Sequence, residues 1–268
     1  MQYNVNNSNL EYDAQGQKGK GGDTVLLHHA VDLTANTTWS DAGFTIEKLF
    51  DDVLYQTFIT NTKELLVALW RKAGLNITDD FNIDQYHTLA NTSEIHLNAV
   101  ELTKLLSTEQ FPVPVTILED RISSICGKRL ITQNPFDNQS IFHFRVVRPQ
   151  QPDNNPLHRD VWLEDYKDCI NLYIPIAGSN ENSSLIIVPQ SHQWSESKTE
   201  RTLSGAVINN VKFNVPAVTS IEGEVNYVRP NPAMNEVLVF SPYLIHGGSV
   251  NANINTTRIS IEVRLWKR

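Results

Sequence analysis

The chain has 268 residues, 40% of them apolar and 19% charged, which suffices for a full hydrophobic core without disulfides or structural zinc. Its formal net charge of −8 comes with no basic stripe, which argues against nucleic acid or an anionic membrane surface as partner. No apolar run approaches membrane-spanning length. Cys126 and Cys169 match no redox or zinc spacing and are expected to be reduced thiols in a cytoplasmic protein.

Residues 1–22 are polar, end glycine-rich and carry no apolar signal segment, so they are expected to form a flexible lead. The remainder, 23–268, reads as a single domain with a helical support region over 23–128 and a β core over 129–268. Leu49, Val53, Leu54, Phe58, Leu65, Leu66 and Leu69 recur at helical spacing within 45–74 and stop at Gly74, which predicts one or two helices. A second helical stretch is expected within 82–108 and a third over 116–128, closing at Gly127. From about residue 129 the texture changes. "SIFHFRVVRP", "CINLYIPIAG", "SLIIVPQSH", "EVLVFSPYLIHG" and "TRISIEVRLW" are short Ile/Val/Phe/Tyr runs between Pro, Asn, Gly and Ser clusters. They predict an antiparallel sandwich or barrel, mainly β, against which the helices pack.

The segment "NPLHRDVW" places His158 and Asp160 two residues apart. Six other histidines are weaker partners for them. His28, His29, His87 and His96 lie in the N-terminal half, His143 lies within a strand, and His192 is expected to tie down the "PQSH" turn. His246 differs, because it ends an apolar strand just before Gly247 and Gly248, where a side chain can be handed to a cavity while the backbone turns away. Two imidazoles and one carboxylate form the facial triad suited to non-haem Fe(II), with three positions left for a bidentate 2-oxo acid and O2. Twelve residues on, Arg258 and Ser260 share one face of an alternating strand with Glu262 and Arg264. A guanidinium and a hydroxyl so placed can clamp a carboxylate.

In this order the pieces resemble the phytanoyl-CoA dioxygenase-like branch of the Fe(II)/2-oxoglutarate-dependent oxygenases. The resemblance covers roughly residues 140–268. It rests on "NPLHRDVW", "NLYIPIAGSNENSSLIIVPQSHQW", "NEVLVFSPYLIHGGSVNAN" and "RISIEVRL", with Gly43-Phe44 similar to the usual start of these enzymes. It implies a distorted double-stranded β-helix, or jelly roll, of cupin-like type. It further implies that His158, Asp160 and His246 hold Fe(II), and that Arg258 with Ser260 binds the distal carboxylate of 2-oxoglutarate. The expected activity is O2-dependent hydroxylation of a small or medium polar metabolite, such as an amino acid, a sugar or a natural-product intermediate. Related halogenases carry a small residue where this chain has Asp160. Two departures stand out: Gln190 where glycine is frequent, and the turn "NENSSL", which lacks its usual glycine.

Some positions keep two readings. Asn171 and Tyr173 alternate with apolar neighbours and are candidates for lining the cosubstrate pocket. Arg145, with His143, either faces that pocket and meets an acidic ligand or lies on a solvated strand face. Trp162, with the acidic run Glu164-Asp165, either shapes a lip over the site as a candidate substrate contact or is simply exposed. Segments 76–115 and 195–232 are where substrate specificity is expected. Against the enzyme stands a non-catalytic jelly-roll binding protein with a structural metal. A zinc hydrolase is weaker still, because no general base is evident beside the triad.

Overall fold

The computed structural model describes residues 1–27, 32–153 and 155–268. The periodic run over 45–74 resolves into a strand, β1 (Phe44–Lys48), and one long helix, α1 (Asp52–Lys72). Asp51 separates them, its carboxylate accepting from the Val53 and Leu54 N–H groups at 3.0 and 2.9 Å. The 82–108 stretch is less continuous than its composition suggests. Single turns at Ile83–Gln85 and Tyr86–Leu89 precede α2 (Ser93–Glu101), which Thr92 caps, and the stretch ends in a short strand at Leu106–Ser107. α3 (Val115–Cys126) stops where Gly127 takes the left-handed conformation, at φ +62°.

Four long strands follow: β2 (Ile141–Val147), β3 (Cys169–Ala177), β4 (Glu236–Phe240) and β5 (Arg258–Lys267). They pair antiparallel in the order β1–β4–β3–β5–β2, with Leu106–Ser107 beyond β2. The period-2 alternation assigns their faces. Phe142, Phe144, Ile170, Leu172, Ile259, Ile261 and Val263 turn outward and form one buried core with Phe58, Leu66, Trp70, Leu118 and Ile122 of the helices. Polar residues are left on the inner face. The helical half therefore seals one side of the sheet.

Between these strands the chain crosses repeatedly to a second, shorter layer. Bridges there link Val228 to Ile187, Ile187 to His246, and His246 to His158. The long sheet and the bridged layer alternate along the sequence, which is the double-stranded β-helix arrangement. Leu185, Ile187, Leu238, Phe240 and Leu244 pack between the layers. Asn6 and Asn7, both at positive φ, turn a hairpin of Gln2–Val5 with Ser8–Glu11. It presses Tyr3 and Val5 onto Leu157, Ile186, Val188, Val218 and Ile245, the outer face of the second layer. Residues 1–22, expected to be a flexible lead, thus contain ordered strands that cover an apolar face. Lys18–Lys20 adds a further strand beside Thr199–Thr202. Among the described residues no helix is long and apolar enough to cross a membrane. Cys126 and Cys169 are buried free thiols.

Candidate metal centre

His158 and His246 are brought together by the second layer. Each backbone N–H donates to the other's carbonyl at 2.9 Å, and the ring centroids lie 4.4 Å apart. Both rings are fixed by their Nδ1 atoms, which meet the Pro156 carbonyl at 2.8 Å and the Leu244 carbonyl at 2.9 Å. A carbonyl can only accept, so each Nδ1 carries a proton and each Nε2 is the ring atom left to face the site. Asp160 opens a single 3₁₀ turn, with its N–H donating to the Pro242 carbonyl at 3.0 Å. Its Oδ1 lies 3.2 Å from His158 Nε2 and 3.8 Å from His246 Nε2. Among the described residues this is the group of His, Cys, Asp and Glu side chains whose ligand atoms fall within 4.8 Å of one another, and all three residues are buried.

The second carboxylate oxygen is already committed. Asp160 Oδ2 accepts from Asn171 Nδ2 at 2.9 Å and from Arg264 Nη2 at 3.0 Å. Burial pushes the Asp160 carboxyl up, but the Arg264 guanidinium and the two histidines together outweigh it and hold it well below the usual range. Burial and the neighbouring His158 push His246 down to about 4, so its ring is neutral. The centre therefore brings two imidazole Nε2 atoms onto one carboxylate oxygen, with both Nδ1–H groups already committed to carbonyls. That donor set fits a divalent first-row cation. Gly247 makes the approach feasible. It sits at φ +100°, and a Cβ there would come within 2.5 Å of the Pro156 carbonyl and 3.1 Å of His158 Nδ1.

A cavity opens at these ligands, lined on the inner sheet face by Arg145, Asn171, Tyr173, Phe240, Glu262 and Arg264, and elsewhere by Asp153, Asn155 and Leu185. Asn171 and Tyr173, expected there, do line it. Asn171 Oδ1 is buried without a hydrogen-bond partner, and the Tyr173 hydroxyl meets Ser179 Oγ at 2.7 Å. Arg145 also faces the cavity, in a bidentate pair with Glu262 at 3.1 and 2.8 Å, and His143 Nε2 stands 3.5 Å from the same carboxylate. Arg258 and Ser260 are joined at 3.0 Å and fully buried, but they do not line the cavity, and Arg258 is ion-paired with Asp153.

Trp162 lies outside the cavity lining. Its Nε1 donates to Glu196 at 2.9 Å, and the same carboxylate takes the buried Arg159 guanidinium at 2.8 Å. This network clamps the backbone between the two ligands His158 and Asp160. His192 is buried with Nε2 on the Ser40 carbonyl at 2.9 Å, in line with a structural role. Gln190 takes the left-handed φ of +65° that a glycine would adopt at no cost. His28 and His29 lie outside the described residues. Sequence reasoning missed Asp153 and Glu196, acids in irregular segments that no periodicity marks. Glu262 was visible on the right strand face, yet nothing in the sequence showed that it would take Arg145.

No family profile and no curated protein sequence matches this chain. Solved structures with a similar course of the backbone include the apo form of EctD from S. alaskensis, at 11% identity and a TM-score of 0.48, over 95% of this chain and 85% of that one. AviO1 from Streptomyces viridochromogenes Tue57 is similar at 14% identity and a TM-score of 0.45, over 91% and 97% of the two chains. The non-heme alpha ketoglutarate dependent epimerase SnoN from nogalamycin biosynthesis is similar at 10% identity and a TM-score of 0.46, over 89% and 83%.

Proposed function

We propose that this protein is an Fe(II)/2-oxoglutarate-dependent oxygenase that hydroxylates a small or medium polar metabolite. One observation carries the reading: His158 Nε2, His246 Nε2 and Asp160 Oδ1 converge within 4.8 Å, all buried, at the end of a cavity between the two layers. Fe(II) held there would supply, with O2 and a 2-oxo acid, the oxidation of a C–H bond with release of succinate and CO2.

The chain's own residues do the placing. The Pro156 and Leu244 carbonyls fix the tautomers of the two histidines. Asn171 and Arg264 occupy Asp160 Oδ2, which leaves Oδ1 as the single oxygen directed at a metal. Phe240 and Leu185 line the cavity with apolar surface that limits water. In this reading Arg258 and Ser260 serve the distal carboxylate of 2-oxoglutarate, Asn171 and Tyr173 border the cosubstrate, and Arg145 borders the substrate. The acidic net charge, and a cavity whose arginines are paired with acids, suit a small soluble substrate in the cytoplasm better than an acyl-CoA.

The experiment is anaerobic addition of Fe(II) and 2-oxoglutarate to the metal-free protein, followed through the weak visible metal-to-ligand charge-transfer band. A band that saturates at one iron per chain, and succinate formation once O2 is admitted, are expected. Iron binding with no band and no succinate would leave the second reading, a non-catalytic jelly roll with a structural metal. One observation favours that alternative: each arginine around the cavity already has a carboxylate partner.

A further inference from the structure

The cavity's ion pairs are unequal in what they block. Arg264 and Arg145 each face the cavity alongside the acid they hold, Asp160 and Glu262. Arg258 is different: it is fully buried and off the cavity wall, whereas its partner Asp153 is on that wall. The Asp153 carboxylate therefore stands between the guanidinium and any ligand. It is also held by Ser249 Oγ at 3.2 Å, by its own N–H on the Ser249 carbonyl at 2.8 Å, and by Arg145 Nε at 3.7 Å.

Charge counting shows why this matters. Arg145 and Arg258 are balanced by Glu262 and Asp153, and the largely buried Arg229 adds a third cation that acts on both Arg258 and Asp153. A ligand carboxylate arriving at Arg258 with Asp153 in place would set two carboxylates against one guanidinium fork, in a site only partly open to water. Arg258 still has one donor to offer, since its buried Nε has no hydrogen-bond partner. Asp153 also has somewhere to go. It lines a second groove, bounded by Tyr12, Phe213 and Val250, as well as the metal cavity.

We propose that Asp153 is a built-in competitor for the second carboxylate of the cosubstrate. It holds the Arg258 fork in the resting protein and yields it when a dicarboxylic 2-oxo acid binds. The inference rests on reading this centre as a 2-oxo acid site. It adds a specificity element: a 2-oxo acid without the second carboxylate has no claim on Arg258 and leaves Asp153 where it is.

The test compares 2-oxoglutarate with 2-oxobutyrate, which lacks the distal acid, by anaerobic titration of the Fe(II)-loaded protein, read as charge-transfer band and as heat. Asp153→Asn keeps the shape and one acceptor oxygen but removes the competing charge. It should tighten 2-oxoglutarate about tenfold, the scale of one well-screened charge contact, and leave 2-oxobutyrate within about twofold. Ser249→Ala, which removes one tether of Asp153, should tighten 2-oxoglutarate in the same direction by a smaller factor, and it carries the test if Asp153→Asn does not fold. Unchanged or weaker 2-oxoglutarate binding in these variants overturns the proposal and makes Asp153 a prop for Arg258. Arg258→Ala separates this from a failure of the underlying reading. If it leaves 2-oxoglutarate binding unchanged, the fork is not the cosubstrate's site. If neither acid binds the wild-type protein, the 2-oxo acid reading falls and the proposal with it.

Discussion

Replacing Arg264 by Met should weaken metal binding although Arg264 is not among the three converging ligands. Its guanidinium gives Asp160 Oδ2 two hydrogen bonds, from Nη2 at 3.0 Å and Nε at 3.3 Å. Hydrogen bonds to a charged group are worth about 1.5–3 kcal/mol, and removing such a partner of a metal ligand typically costs about 10–100-fold in affinity. The two figures agree, since about 1.4 kcal/mol is a factor of ten. The lower end applies here, because Asn171 keeps its own bond to Oδ2 at 2.9 Å and the Arg264 side chain is 23% exposed. The expected loss is therefore about tenfold. The assay is anaerobic competition for Fe(II) or Mn(II) against a chelator of known strength, with thermal unfolding of the metal-free protein measured in parallel. Arg264 also lies 4.2 Å over the Tyr166 ring, so some stability loss accompanies the change and must be kept apart from affinity. Arg264→Lys keeps the charge without the fork and should recover only part of the affinity. If Arg264→Met binds metal within about twofold of the wild type, the argument that Oδ2 must be held to present Oδ1 is wrong.

Three further outcomes follow from the same geometry. His158→Ala and His246→Ala should each abolish stoichiometric iron retention after gel filtration while the far-ultraviolet circular dichroism stays native; full retention in either would remove that residue from the ligand set. Glu196→Gln takes the charge partner from the fully buried Arg159, 2.8 Å away, and should cost about 3 kcal/mol, or roughly 6–12 °C in Tm for a chain of this size. A shift under about 2 °C would mean that the clamp behind the ligand turn contributes little. His96, His143 and His192 are held below the ordinary histidine value, in each case mainly by burial, with His96 down to about 4. The unfolded chain then binds more protons than the folded one below about pH 6.5, so stability falls as the pH drops through that value toward the folded ones. The metal-free protein should lose Tm steadily from pH 7 to pH 5, and a flat profile there would contradict these burials.

The fold was legible where periodicity had a single cause. β5 alternates strictly because one face meets helices and the other meets the cavity, and α1 shows its apolar stripe and its cap. The second layer was not legible, since "SLIIVPQSH" is held by single bridges at Ile187 and never becomes a regular strand. The N-terminal hairpin was missed for a different reason. Its turn is Asn6-Asn7 rather than an asparagine followed by glycine, and Asn209-Asn210 builds the same kind of turn between Ala206–Ile208 and Val211–Phe213. In a chain so rich in asparagine, such pairs are easily taken for loop composition.

The three metal ligands could be found because their chemistry is set by spacing: two residues for His158 and Asp160, and a strand end before glycines for His246. The acids opposite the arginines could not. An arginine on an inner strand face announces a need for negative charge, but the sequence does not say whether the protein or its ligand supplies it. Here the protein supplies it three times, through Asp153, Asp160 and Glu262. Asp160 and Glu262 sit on the elements that carry the site and are fixed with them. Asp153 follows the Gln151–Pro152 strand in an irregular segment and borders two cavities at once. Of the three it is the one whose charge the fold can exchange for a ligand's, so the difference between a carboxylate-binding enzyme and a sealed ion pair turns on this residue.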